Sequence, residues 1–213
     1  MSLADILIWL IILIPSVMLH EVAHGFVADK LGDPTARLMG RLTLNPLKHI
    51  DPVMTILLPL MLIVLRSPVV FGGAKPVPVD QFNLKEGRKD MAIVSLSGPL
   101  TNVLLAIIAA FIIHLLNFAP SANTGLLLLY IVLQRIVQLN LLLAIFNMLP
   151  IPPLDGSKLF ALLLPERDAQ SYLGLSNIGF FIIFFLLAFP IGGFSLSDLL
   201  TKLLLFAQSL LGV

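Results

Sequence analysis

The stretch His20-Glu21-Val22-Ala23-His24 sets two imidazoles four residues apart, with a carboxylate beside the first. On a helix, positions i and i+4 share one face, so both rings can reach a single Zn2+. Glu21 then lies where it can take a proton from water at that ion without being a ligand itself. Chance is the competing explanation, because the pattern is short and buried histidines can simply hydrogen-bond to neighbouring helices. The context weighs against chance. The motif follows the apolar run "ILIWLIILIP", and each charged group inside a membrane helix costs about 2.5–3.5 kcal/mol on insertion scales.

A catalytic zinc usually takes three protein ligands and keeps an open position for water. The chain has no cysteine, so the third ligand must be His, Asp or Glu. Besides His20 and His24 the only histidines are His49 and His114. His114 lies toward the outer end of its apolar segment, on the wrong side. His49, in "LKHIDP", is on the right side but in a polar linker, where a solvated histidine needs no function. Asp155, in "FNMLPIPPLDG", is the better placed candidate. It follows a helix that ends toward the same face, and a carboxylate completes the His-His-acid set that metalloproteases use.

These residues need a membrane scaffold to position them. Of the 213 residues, 58% are hydrophobic and only 12% charged, against roughly a quarter charged in ordinary soluble domains. The chain reads as an all-α polytopic membrane protein. A spanning helix needs about 20 apolar residues, and apolar segments run over about 6–28, 53–65, 91–118, 126–148, 178–190 and 199–211. The expectation is a bundle of about five to six membrane helices, in which 53–65, short and holding a proline, either spans or is re-entrant. Residues 1–213 form one membrane-embedded domain, with a catalytic core at about 5–160 and further membrane helices at about 176–213. The N-terminus lacks the basic stretch of a cleavable signal, so the first segment reads as a retained helix. A net charge of +1 leaves no basic face to track phosphates, which excludes nucleic acid as a partner.

Lysine and arginine are frequent in 29–51 and 66–90 and absent from 117–124. The positive-inside rule places the first two at the cytoplasmic side of the cell membrane and the last outside. With 1.5 Å per residue, His24 lies about 6 Å and His20 about 12 Å from Ala28. The site is thus below the membrane surface but within reach of the cytoplasm.

HEVAH on a membrane helix, followed by "SGPLTN" (Ser97–Asn102) and by Asn147, Pro150 and Leu154-Asp155-Gly156, resembles the site-2 protease family of intramembrane zinc metalloproteases. The resemblance covers about residues 5–160, and the combined motifs are far more specific than HExxH alone. It implies His20, His24 and Asp155 as ligands of one Zn2+ per chain and Glu21 as general base. It implies that Asn147 helps hold the peptide carbonyl or its oxyanion. Many members carry a PDZ domain between the catalytic helices and others a nucleotide-sensing domain; this sequence resembles a compact member without either.

Asn140 and Asn147 lie one heptad apart on a face that could point to the metal, although Asn140 reads more simply as an interhelical hydrogen-bonding residue. Asn102 packs between helices near the site, in a supporting or a structural role. Arg135, about 18 Å along the helix from Asn147, snorkels to the outer interface. In "GGAKPVPVD", Pro76 and Pro78 leave one edge of an extended chain without donors, while Val77 and Val79 present theirs on the other. That pattern predicts an edge strand or small hairpin near residues 70–80. A substrate can add to such an edge by main-chain bonds, which makes Lys75, Pro76, Val77, Pro78 and Val79 candidate substrate contacts. A loop blunted by proline to avoid aggregation is the alternative.

The expected activity is that of a multi-pass zinc endopeptidase, embedded in the lipid bilayer and acting on transmembrane proteins or peptides. A membrane metal-binding or cation-transport protein is the rival. Glu21 separates the two, because hydrolysis needs a base where transport needs only ligands.

Overall fold

The computed structural model describes residues 3–52, 57, 60–61, 75–116, 124–193 and 195–213. Most of the segment expected at 53–65, residues 70–74 of the expected hairpin, and the turn at 117–123 lie outside the described residues. Three long helices dominate: α1 (Leu3–Leu31), followed by the short α2 (Thr35–Leu38), then α3 (Arg88–Leu115) and α4 (Thr124–Asn147). Four shorter ones follow: α5 (Asp155–Ala161), α6 (Glu166–Leu173), α7 (Ser176–Ala188) and α8 (Leu196–Leu211).

The described part of the chain is all-α, as its composition predicts. Among the described residues, α1, α3 and α4 are long and apolar enough to cross a membrane. These residues give a fourth span if α6 and α7, bent by 64° to each other, act as one. At 13 and 16 residues, α7 and α8 rise about 20 and 24 Å, short of a hydrocarbon core about 30 Å thick. Gly192 and Gly193, both at positive φ, separate the two. No β-strand occurs among the described residues, and Lys75–Val79 has no strand pairing.

α3 is the central helix, packed against α1, α4 and α5. Helices in lipid associate by close packing of small residues rather than by expulsion of water. Ala106, Ala109 and Ala110 of α3 accordingly meet Leu133, Val137 and Leu141 of α4, with Leu204 of α8 joining the cluster. The opposite face of α3 exposes Leu100, Leu104, Ile107, Ile108 and Phe111, an apolar stripe at helical spacing that a bilayer would cover. A second cluster of Ala28, Leu84 and Val94 fixes the end of α1 to the start of α3.

Between α1 and α2, Asp33 is fully buried and gathers two distant loops. Its Oδ1 accepts from the Thr35 N–H at 3.1 Å, the Thr35 hydroxyl at 2.5 Å and the Asn83 amide at 3.0 Å, and its Oδ2 accepts from the Asp80 N–H at 2.7 Å. Burial alone would raise its pKa, but these bonds outweigh it and hold the carboxyl below its ordinary value. Asp33→Asn removes acceptor capacity from buried donors and should cost about 1–3 kcal/mol, read as thermal unfolding in detergent. Because the folded pKa is depressed, the wild-type advantage is full above about pH 4, the ordinary aspartate range. It fades as pH falls through the lower folded value; a gap that does not change with pH would contradict this.

Candidate metal centre

His20 and His24 lie a turn apart on the face of α1 that meets α3, with ring centroids 4.6 Å apart at an interplanar angle of 89°. Their Nε2 atoms are 3.1 Å apart, and each is 3.2 Å from Oδ2 of Asp155. A tetrahedral ion with bonds of about 2.0–2.1 Å needs its ligand atoms about 3.3–3.4 Å from one another. The triangle therefore matches one face of such a tetrahedron, and the three residues could hold a metal.

The other ring nitrogens are committed elsewhere. His24 Nδ1 donates to the Val94 carbonyl at 2.7 Å, and His20 Nδ1 donates to Asn102 Oδ1 at 2.5 Å. Ligating histidines commonly donate in this way, which fixes ring orientation and leaves the Nε2 lone pair for the metal.

Asp155 comes from a different part of the chain. The segment Met148–Leu154, which contains a cis Pro152–Pro153 bond, turns back after α4, and Asp155 opens α5. A Cβ at Gly156 would run into the Met148 carbonyl oxygen, so the residue after the aspartate must be glycine for this return. Lys158 was not singled out from sequence, although its position one turn after Asp155 was a usable signal. Its Nζ lies 3.5 Å from Asp155 Oδ1 and donates to the Pro153 carbonyl at 2.9 Å. It occupies one carboxylate oxygen while the other faces the imidazoles.

Gly98 explains the glycine of "SGPLTN". A Cβ there would fall 2.5 Å from His24 Nε2 and 2.6 Å from His20 Nε2. The absence of a side chain lets α3 pass directly beside the two Nε2 atoms.

Glu21 is half-buried, and its Oε2 accepts the Val77 N–H at 2.8 Å. The segment carrying Val77 is held by side-chain and loop anchors in place of a neighbouring strand. The Lys75 N–H donates to the His49 carbonyl at 2.8 Å, and Arg41 Nη2 donates to the carbonyls of Lys75 at 2.8 Å and Pro76 at 3.4 Å. The Asp80 N–H ends on Asp33. His49 is not the solvated residue expected: it is 2% exposed and donates from Nε2 to the Thr43 carbonyl at 2.8 Å. The 3-10 turn Pro46–Lys48 folds the linker back so that His49 lies inside it.

Among the remaining predicted residues, Asn102 and Asn140 are fully buried and bonded to each other. Asn147 is half-buried, with Nδ2 donating to the Leu143 carbonyl at 3.0 Å, and no hydrogen bond joins it to the three clustered residues. Arg135 pairs with Gln138 and lies over the Trp9 ring at 5.9 Å. His114 donates to the Leu211 carbonyl at 2.7 Å, tying α3 to α8.

The profile of Peptidase family M50 matches residues 8–133 and 120–189. A Bacillus subtilis protein named "Putative zinc metalloprotease YwhC" is 37% identical over 195 residues, covering 89% of this chain and 84% of its own length. "Putative zinc metalloprotease Rip2" of Mycobacterium tuberculosis H37Rv is 32% identical over 179 residues, covering 84% of this chain and 63% of its own length. "Putative zinc metalloprotease MJ0611" of Methanocaldococcus jannaschii is 40% identical over 96 residues, or 45% of this chain and 44% of its own length. No solved structure gives a significant match.

Gly98→Ala tests the closeness of α3 to the ligand atoms. Overpacking of this kind costs about 1–3 kcal/mol, so metal affinity should fall by about tenfold or more with helical circular dichroism unchanged. Unaltered affinity would show that the centre has room to spare.

Proposed function

The chain belongs to peptidase family M50, and we propose that it is an intramembrane zinc endopeptidase that cleaves peptide bonds in or near transmembrane segments of other membrane proteins. The observation that best supports this is the triangle of His20 Nε2, His24 Nε2 and Asp155 Oδ2, with Glu21 adjacent in sequence. One Zn2+ per chain would be held by these three atoms. When bound, zinc supplies Lewis-acid chemistry, making water nucleophilic near neutral pH and polarising the scissile carbonyl.

Glu21 accepts the proton of the attacking water and returns it to the leaving amide nitrogen. The Val77 N–H engages Oε2, which leaves Oε1 for that transfer. The Asn147 amide, moved from the Leu143 carbonyl, donates to the substrate carbonyl oxygen as negative charge develops there. The substrate main chain unwinds and lies along Lys75–Val79, whose Val77 N–H edge is the one facing Glu21. Asn102 and Asn140 support the site through His20. The basic residues in 29–51 and 66–90 support a centre toward the cytoplasmic side of the cell membrane, with lipid around the bundle.

Glu21→Gln separates hydrolysis from cation passage. Cleavage of a co-expressed membrane substrate should fall by about 10²–10⁴-fold, the usual contribution of general acid–base catalysis, while zinc content stays at the wild-type level. Asp155→Ala should lose both cleavage and most of the zinc. Ion flux that persists in a protein with no peptidase activity would favour transport.

Val77→Pro tests the contact to the base. A hydrogen bond to a charged group is worth about 1.5–3 kcal/mol, so cleavage should drop by about tenfold or more at unchanged zinc content. Val77→Ala, which keeps the N–H, should lose less. Equal losses in the two variants would assign Val77 to packing alone.

A further inference from the structure

The chain's four histidines include two that must each present Nε2 to one point, yet a neutral imidazole can carry its proton on either nitrogen. For His24 the choice is settled directly, because the Val94 carbonyl at Nδ1 can only accept. His20 has no main-chain carbonyl in that position. It faces the side chain of Asn102, an amide whose oxygen and nitrogen have nearly the same shape and can exchange places by a flip. Something else must settle which end of Asn102 faces the ring.

We propose that Asn140 and Asn102 form a relay that fixes the proton of His20 on Nδ1, and that the relay is anchored on the main-chain carbonyl of Ile136. The proposal rests on the reading of His20 as a metal ligand. The chemistry of each contact leaves one solution. The Asn140 atom 2.9 Å from the Ile136 carbonyl oxygen must be the amino nitrogen, because that oxygen can only accept. The same nitrogen gives its second hydrogen to Ser16 Oγ at 3.0 Å. The other end of Asn140 is therefore its oxygen, and it faces Asn102 at 2.8 Å, where only the amino group of Asn102 can donate to it. Asn102 must then turn its oxygen to His20 Nδ1 at 2.5 Å. That nitrogen carries the proton, and Nε2 keeps its lone pair toward Asp155 and His24.

Burial gives the relay its force. Asn102 and Asn140 are 0% exposed, Ser16 4% and His20 5%, so no solvent stands ready to satisfy a misoriented amide. A single flip of either asparagine would set oxygen against oxygen or amino group against amino group, with a buried donor or acceptor left over. The relay also crosses three helices. Ser16 and His20 sit one turn apart on α1, Asn102 is on α3, and Ile136 and Asn140 are on α4. Asn140 is thus a positioning residue for His20 despite touching no ligand atom.

The test uses full-length protein labelled with 15N-histidine and kept zinc-free by a chelator in detergent micelles, so that no metal bond fixes the tautomer, and it is read by the ring 15N–1H resonances. In the wild type, His20 should show an Nδ1–H protected from solvent exchange, alongside that of His24. A His20 proton on Nε2 would overturn the proposal without any variant. Asn140→Leu removes the anchor. The His20 Nδ1–H signal should be lost while that of His24 persists, and zinc affinity should fall by about 10–100-fold, as for other partners of metal-bound histidines.

Adding Asn102→Asp to Asn140→Leu should restore the signal, because a carboxylate has no donor end and needs no anchor to face Nδ1–H. A merely structural Asn140 predicts the reverse, since the second change buries a charge beside an existing defect. If Asn140→Leu alone loses both histidine signals through unfolding, the double variant decides: His20 Nδ1–H present supports the relay, and its absence with His24 intact overturns it. These readouts involve no substrate, so a failure of the protease reading would leave them unchanged.

Discussion

His20 Nε2, His24 Nε2 and Asp155 Oδ2 stand 3.1–3.2 Å apart, each directing electron density at the same point. Such a set is unfavourable by itself, in an interior that penalises every polar atom without a partner. The surrounding bonds can be understood as the means of holding it. Each imidazole is tethered at its far nitrogen, the second carboxylate oxygen is occupied by Lys158, and Gly98 keeps the neighbouring helix from intruding. The centre draws on α1, α3, α4 and α5, so its geometry depends on the packing of the bundle as a whole.

That packing follows from lipid as solvent. Small residues along α3 allow close approach, and the buried amides of Asn102 and Asn140 find partners only across helix boundaries. The polar groups that would be a liability in a single helix become cross-links between helices. The same economy governs the segment beside Glu21. With Pro76 and Pro78 lacking N–H groups, the chain at Lys75–Val79 has few donors to satisfy. Those of Lys75 and Val77 end on a carbonyl and on a carboxylate, and Asp80, just beyond, ends on Asp33.

Much of this was legible in the sequence because it is local. HEVAH needs only the helical repeat, and the three long helices are continuous in apolar character. The structure brings His20, His24 and Asp155 together, although 131 positions separate the last two. What sequence could not provide depends on how distant backbone groups meet. The spacing of prolines suggested an extended segment but not that Val77 would donate to Glu21. A polar linker suggested a solvated His49, yet its turn buries the ring. The Ile136 carbonyl has no signature at all, since every residue has one.

The most direct test of the centre is zinc K-edge X-ray absorption on the full chain loaded with one equivalent of zinc in detergent. The scattering should fit two imidazoles and a carboxylate oxygen, with first-shell distances of about 2.0–2.2 Å and a further light atom in the open position. In the zinc that Asp155→Ala still retains, one carboxylate oxygen should be missing and the two imidazoles should remain. A first shell with fewer than two imidazoles, or one unchanged by loss of Asp155, would contradict the assignment.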